Sequence, residues 1–210
     1  MADQIAPRAS VGFGTAEADA DAVAALPTRT IVVGLGNPVL GDDGVGWRVA
    51  DEVEGRLRAV REAGGALPAV EVERLGVGGL RLMEFLAGYD AAILVDAAEF
   101  PDRPIGEVRS YALDDLDCYA AGHLDSAHDA SLVTALALGR RLGASLPTRI
   151  QTVTVQVQRT DIFSERLTPE VEAAVPAAAS AVVELLMDTS ASSGPCPDQR
   201  GSEGGRNGLT

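Results

Sequence analysis

The sequence predicts an α/β fold with three layers: a mostly parallel, twisted sheet of about five strands, one antiparallel edge strand, and helices on both faces. The first observation behind this prediction is that short apolar runs alternate along the chain with segments of helical periodicity. The second is that the run Ala91–Asp96 (AAILVD) is almost continuously apolar, as strands buried on both faces are. The third is an apolar content of 46%, which is enough for such a core although only 4% of residues are aromatic.

Five segments have strand patterns and follow one another between helical segments. They are Thr30–Gly34, Ala69–Arg74, Ala91–Asp96, Gly106–Ala112 and Thr152–Gln158. The fourth follows a turn at 101–104 and is expected to pair antiparallel. The last (TVTVQVQ) alternates strictly, which predicts a half-buried strand.

Four segments have helical patterns. They are Gly44–Val60, Leu80–Ala87, Ser131–Leu142 and Thr168–Met187. In the last, Thr168 is expected to be the N-cap, with Pro169 at the first helical position, where a missing N–H costs nothing. Pro176 should bend that helix or start a new one.

The composition of the two ends predicts a disordered leader at 1–28 and a disordered tail at 189–210, which leaves one domain at 29–188. The leader lacks the charged start and apolar run of a secretory signal, and no apolar stretch is long enough to span a bilayer. Two cysteines, Cys118 and Cys196, make no disulfide framework, so we expect a cytoplasmic protein. No apolar face lacks a place in the core, so a monomer is expected.

The formal charge is -14, from 17 basic and 31 acidic residues. This excess of negative charge repels phosphate backbones and anionic lipid surfaces. We therefore expect neither nucleic acid nor membrane as a partner.

Ligands in open α/β sheets bind beyond the carboxyl ends of the strands, which directs attention to three places. The first is the loop after Gly34, where Asp42 and Asp43 precede a helix. It is not a dinucleotide loop, because Val39 occupies the position of the third glycine. One aspartate could cap the helix and the other complement its dipole. Capping requires only one, so the second is available for another role.

The second place is Asp96, which ends an apolar strand where a carboxylate is costly to bury unless it is paired or bound to a metal. The alternative is an Asp that begins a turn. The third place precedes the helix at Ser131 and holds the only two histidines, His123 and His128. The alternatives there are a solvated loop and a Cys118–His pair. Two carboxylates and an imidazole are suitable ligands for nickel or zinc.

With these three places marked, the sequence resembles the nickel–iron hydrogenase maturation endopeptidases. The first motif, Gly34-x-Gly-Asn-x-x-Leu-x-Asp-Asp-Gly-x-Gly46, looks like the opening motif of that family. Three further segments are similar to motifs of the same family: the strand ending in Asp96-Ala97, Ser126-x-His128-x-x-x-Leu132, and the closing segment Leu167-Thr-Pro-Glu-Val171. The resemblance covers residues 30–187.

The resemblance implies an endopeptidase, of the aspartic type in its use of acidic residues, that removes the C-terminal extension of a nickel-loaded hydrogenase large-subunit precursor. Asp43, Asp96 and His128 are implied as ligands of nickel that the substrate supplies, with zinc or cadmium as surrogates. Either Asp43 or Asp96 could instead act as general base.

The rest of the first motif is implied to form the loop that faces the substrate: Gly36, Asn37, Gly41 and Asp42. Two alternatives remain. A nickel-dependent binding chaperone would use the same three ligands without cutting. A peptidyl-tRNA hydrolase shares Gly34–Pro38 but continues with residues that are absent here, and the charge of -14 opposes tRNA binding.

Overall fold

The computed structural model describes residues 29–113 and 129–188, and it has the predicted three-layer architecture. Its strands are β1 (Arg29–Leu35), β2 (Ala69–Leu75), β3 (Ala91–Ala98), β4 (Val108–Ala112) and β5 (Arg149–Gln156). Its helices are α1 (Val45–Glu62), α2 (Gly79–Leu86), α3 (Asp129–Arg141) and α4 (Pro169–Met187), with a short 3-10 helix at Gly41–Gly44. Each predicted element is present, with ends shifted by a few residues.

The strands form one sheet in the order β2-β1-β3-β5-β4. All neighbours are parallel except β4, which pairs antiparallel with β5 as expected. The strand that follows β1 in sequence lies on one side of it, and all later strands lie on the other. The gap between the carboxyl ends of β1 and β3 is therefore the topological switch point, where open α/β sheets bind their ligands.

Two apolar layers cover the sheet. On one face α1 and α4 pack on Val32, Ile93, Val95 and Val153. On the other face α2 and α3 pack on a second set of residues, which includes Ile31, Val33, Leu94 and Ile150. Successive residues of β1 and β3 alternate between the two layers, as a strand covered on both sides requires.

The prediction of a half-buried final strand was wrong. Apart from Arg149 at its start, every residue of β5 is buried, including Thr152, Thr154 and Gln156. The polar alternation suggested a solvent face, but β5 lies between β3 and β4 and helices cover both sides. Thr152, Thr154 and Gln156 therefore lie on the same face as Ile150 and are covered by the α2/α3 layer instead of water, while Gln151 is buried on the opposite face.

The final helix begins as predicted, with Thr168 as N-cap and Pro169 at the first helical position. It continues through Pro176 without interruption, so no new helix starts there. The predictions for 1–28, 189–210, Cys118, Cys196, His123 and His128 fall outside the described residues. No helix within 29–113 or 129–188 is long and apolar enough to cross a membrane.

Candidate active site

Two glycines bring the start of α1 against the carboxyl end of the sheet. A Cβ on Gly34 would lie 2.3 Å from the carbonyl oxygen of Gly46. A Cβ on Gly46 would lie 2.3 Å from the carbonyl oxygen of Leu35 and 2.4 Å from that of Val95. Since any side chain would collide with backbone, these glycines let α1 begin directly above β1 and β3.

The loop between β1 and α1 folds back on the 3-10 helix and fixes Asp43. Gly36 has φ +112, and a Cβ there would lie 1.8 Å from the carbonyl oxygen of Asp43. The Asn37 N–H donates to the carboxylate of Asp43 at 2.6 Å. Asp43 is half-buried, so its carboxylate is held in place while part of the residue remains accessible.

Asp42 points to a different partner. Its carboxylate is buried and accepts hydrogen bonds from the Thr168 N–H (2.7 Å) and the Thr168 hydroxyl (2.9 Å). The N-cap residues are Leu40 for the 3-10 helix and Gly44 for α1, so the prediction that Asp42 or Asp43 is the N-cap was wrong. Asp42 instead joins the first loop to the start of α4, 126 residues away.

Asp96 lies near the carboxyl end of β3 and is 6% exposed. Its carboxylate accepts a hydrogen bond from the Ala97 N–H at 2.9 Å. Its register partner on β5 is Thr154. Strand alternation places Asp96 on the α2/α3 face, because Leu94 packs in that layer. The interpretation of Asp96 as a residue that begins a turn was wrong, since β3 continues to Ala98.

Asp43 and Asp96 are therefore carried by neighbouring strands at the switch point. Asp43 lies in the 3-10 helix that follows β1, Asp96 lies two residues before the end of β3, and that 3-10 helix packs against β3. This is the site that the order of the strands predicts for a ligand.

The third predicted ligand, His128, lies outside the described residues. The helix that follows it, α3, begins at Asp129 and packs on the same face as Asp96. The chain after α3 reaches the opposite edge of the sheet, where the Gly88 N–H donates to the Ser145 carbonyl at 2.8 Å. The first turn of α3 is thus directed toward the carboxyl edge. Among the described residues no group of three His, Cys, Asp or Glu side chains comes together.

The structure adds residues that the sequence did not reveal. The side chain of Gln156 fixes the loop after β3, since it accepts from the Phe100 N–H (3.1 Å) and donates to the carbonyls of Phe100 (3.1 Å) and Val157 (2.9 Å). The sequence signal that could have identified Gln156 was a polar residue at the end of a strand in the middle of the sheet. Thr168 had only a capping signal, and nothing local linked it to Asp42.

An open groove of about 1030 Å³ lies beside Asp42, between α1, the start of α4 and the loop 157–168. Its walls include charged and apolar side chains, among them Arg48, Arg166, Ile162 and Val175. Neither Asp43 nor Asp96 lines this groove, so it lies beside the two candidate ligands and does not contain them.

These features define an α/β protein with an acidic site at the switch point of its sheet. A sequence model described as hydrogenase maturation protease matches residues 47–185. That range includes Asp96 and His128 and begins just after Asp43. The chain therefore belongs to the hydrogenase maturation protease family, and it is an endopeptidase.

Individual relatives agree with this assignment. The chain is 29% identical over 161 residues to the hydrogenase expression/formation protein HupD of Rhodobacter capsulatus. The alignment covers 76% of this chain and 72% of HupD. Its fold is similar to the solved structure of the hydrogenase maturating endopeptidase HybD from E. coli, with a TM-score of 0.63 and 25% sequence identity. That structural alignment covers 78% of this chain and 94% of HybD. The NiFe hydrogenase maturation protease HybD from Thermococcus kodakarensis shares the fold, with a TM-score of 0.54 at 24% identity over 76% of this chain and 99% of that one.

Proposed function

We propose that this endopeptidase removes the C-terminal extension of a nickel-loaded hydrogenase large-subunit precursor in the cytoplasm, acting as a monomer. The observation that carries the proposal is that Asp43 follows β1 and Asp96 lies near the carboxyl end of the neighbouring strand β3, both at the switch point. Family membership supports the reaction class. It also favours this reading over the peptidyl-tRNA hydrolase alternative.

The proposed ligand set is Asp43, Asp96 and His128, which would engage nickel that the precursor itself delivers. Carboxylate and imidazole groups are suitable donors for a divalent ion, and fixed side chains bind it with less loss of conformational freedom. Zinc or cadmium could stand in for nickel at such a site. When bound, the ion would polarise the scissile carbonyl or the attacking water.

The residues of this chain would hold the two carboxylates in place, and one of the carboxylates would accept a proton. The hydrogen bonds from Asn37 and Ala97 hold the two carboxylates in fixed orientations. Either carboxylate could accept a proton from water as it adds to the peptide carbonyl, and that proton would then pass to the departing amine. The products would be the shortened precursor with a new carboxyl terminus and a free C-terminal peptide.

The loop residues Gly36, Asn37, Gly41 and Asp42 are proposed to shape the surface that faces the substrate. Gly36 and Gly41 both have positive φ, so the loop conformation depends on glycine at these positions. In this proposal Asp42 acts through its hydrogen bonds to Thr168, which keep the loop fixed, and not through contact with the metal.

The proposal is tested with a co-expressed large-subunit precursor prepared with and without nickel. Wild type should shorten only the loaded form, as intact mass spectrometry would show, while Asp43→Asn and His128→Ala should slow cutting by at least about a hundredfold. Precursor that binds but is never shortened by wild type would favour the chaperone alternative. Equal cutting of nickel-free precursor would contradict the role of the ion.

A further inference from the structure

Thr154 lies directly beside Asp96 in the sheet. The two residues are register partners on the neighbouring parallel strands β5 and β3. Each lies an even number of residues from an apolar residue of the α2/α3 layer, Leu94 for Asp96 and Ile150 for Thr154, so both side chains point to that face. Neighbouring strands are about 4.8 Å apart, so the two polar side chains are neighbours near the carboxyl edge of the sheet.

The hydroxyl of Thr154 is buried and is not satisfied by the described part of the protein. Thr154 is 3% exposed, and no hydrogen bond joins its hydroxyl to another residue within 29–113 and 129–188. A buried polar group without a partner costs free energy, so such groups usually bind an ordered water or a ligand. The side chain of Asp96, which is itself 6% exposed, is the polar neighbour beside which that partner would lie.

A single water molecule suits the space between these two side chains. A water that bridges two oxygens makes two hydrogen bonds of about 2.8 Å each, and the spacing of neighbouring strands matches that span. The Ala97 N–H holds one oxygen of the Asp96 carboxylate at 2.9 Å, and a carboxylate offers several acceptor positions. A hydroxyl oxygen is also an acceptor, so Thr154 and Asp96 can each accept one proton of the same water in a hydrogen bond.

We propose that the Thr154 hydroxyl and the Asp96 carboxylate together hold the water that cleaves the peptide bond. This inference rests on the proposed function and assigns its proton acceptor to Asp96. The water oxygen forms a bond to the scissile carbonyl carbon, and one proton of the water passes to Asp96 and then to the departing amine as the C–N bond breaks. Thr154 keeps its own proton throughout. It accepts a hydrogen bond from the other proton of the water, which orients the attacking oxygen.

Thr154→Val removes the hydroxyl at nearly constant shape, with Thr152→Val as the matched control. Thr152 lies on the same face of β5 and also has a buried hydroxyl without a partner among the described residues, but its register partner on β3 is the apolar Leu94. Thr154→Val should lower kcat for the nickel-loaded precursor about tenfold and leave KM unchanged, because the lost hydrogen bond is to the reacting water. Thr154→Ser should retain most of the activity, and Thr152→Val should cut as wild type does.

Two further measurements separate this role from a structural one. Urea denaturation should find Thr154→Val as stable as wild type, because no direct hydrogen bond within the protein is lost. A high-resolution crystal structure of wild type should show an ordered water within hydrogen-bond distance of Thr154 and Asp96. That water can be observed without cutting, so failure of wild type to cut the precursor would fall on the proposed function alone. A wild-type structure without this water, or cutting by Thr154→Val at the wild-type rate, would overturn the proposal.

Discussion

The two edges of the sheet use glycine for different purposes. At the amino edge, Gly64, Gly88 and Gly143 follow α1, α2 and α3, and all three have positive φ with nothing within 4 Å of an added Cβ. They end helices in the left-handed conformation, a common way to stop a helix. At these three positions glycine is required by backbone conformation alone.

At the carboxyl edge the glycines are crowded by backbone. Gly34, Gly36 and Gly46 each have a carbonyl oxygen within 2.3 Å of an added Cβ. They bring the loop that carries Asp43 against the ends of β1 and β3. Among the glycines that the structure describes, those with the closest backbone contacts therefore surround the candidate active site, where they position the loop that carries Asp43.

The largest effect is expected from a methyl group added to the crowded edge. Gly46→Ala places Cβ against the carbonyls of Leu35 and Val95, and we expect a loss of about 3 kcal/mol or more in the free energy of unfolding. Gly55→Ala is the matched control in the same helix, because a Cβ at Gly55 meets nothing within 4 Å. It should stabilise the protein by up to about 1 kcal/mol. Urea denaturation measures both, and a similar response of the two variants would contradict the contrast.

A smaller effect is expected from the loss of the bond between the first loop and α4. Asp42→Ala removes both acceptors of Thr168 and should cost about 1–3 kcal/mol, because the Thr168 N–H and hydroxyl lose their partner. Its control at the amino edge is Asp90→Ala, where an exposed carboxylate accepts the Arg29 N–H at 2.8 Å. Asp90→Ala should lower the free energy of unfolding by less than Asp42→Ala does, since water can replace the lost acceptor. Thermal unfolding compares them, and an equal loss would show that burial of Asp42 adds nothing.

The smallest effect concerns a pH response at the amino edge. The hydrogen bond from the Tyr89 hydroxyl, followed by that from Arg29, holds the pKa of Glu71 below its usual value. A lowered folded pKa gives stability that is present above the unfolded pKa and is lost as pH falls through the folded pKa. Tyr89→Phe should therefore raise the pKa of Glu71 toward normal, as carboxyl NMR titration would show. An unchanged pKa would mean that Arg29 alone sets it.

The sequence predicted what depends on local pattern. The apolar runs of β1 and β3 and the period of α1 identified the elements and their order, and their order predicted where Asp43 and Asp96 would lie. The partner of Asp42 could not be predicted, because Thr168 is 126 residues away and a capping aspartate has the same local signature. The burial of β5 was also missed, since polar alternation does not distinguish water from a covering helix layer.

The central claim is that peptide cleavage takes place at the carboxyl edge of the sheet. Asp96→Asn tests this claim most directly, with Asp102→Asn as the control variant. Asp102 is an exposed aspartate of the loop after β3 with φ 62, a conformation that Asn also tolerates. Intact mass spectrometry of the nickel-loaded precursor should show full cutting by Asp102→Asn and at least about a hundredfold slower cutting by Asp96→Asn. Equal cutting by the two variants, with both folded, would contradict the claim and remove Asp96 from the site.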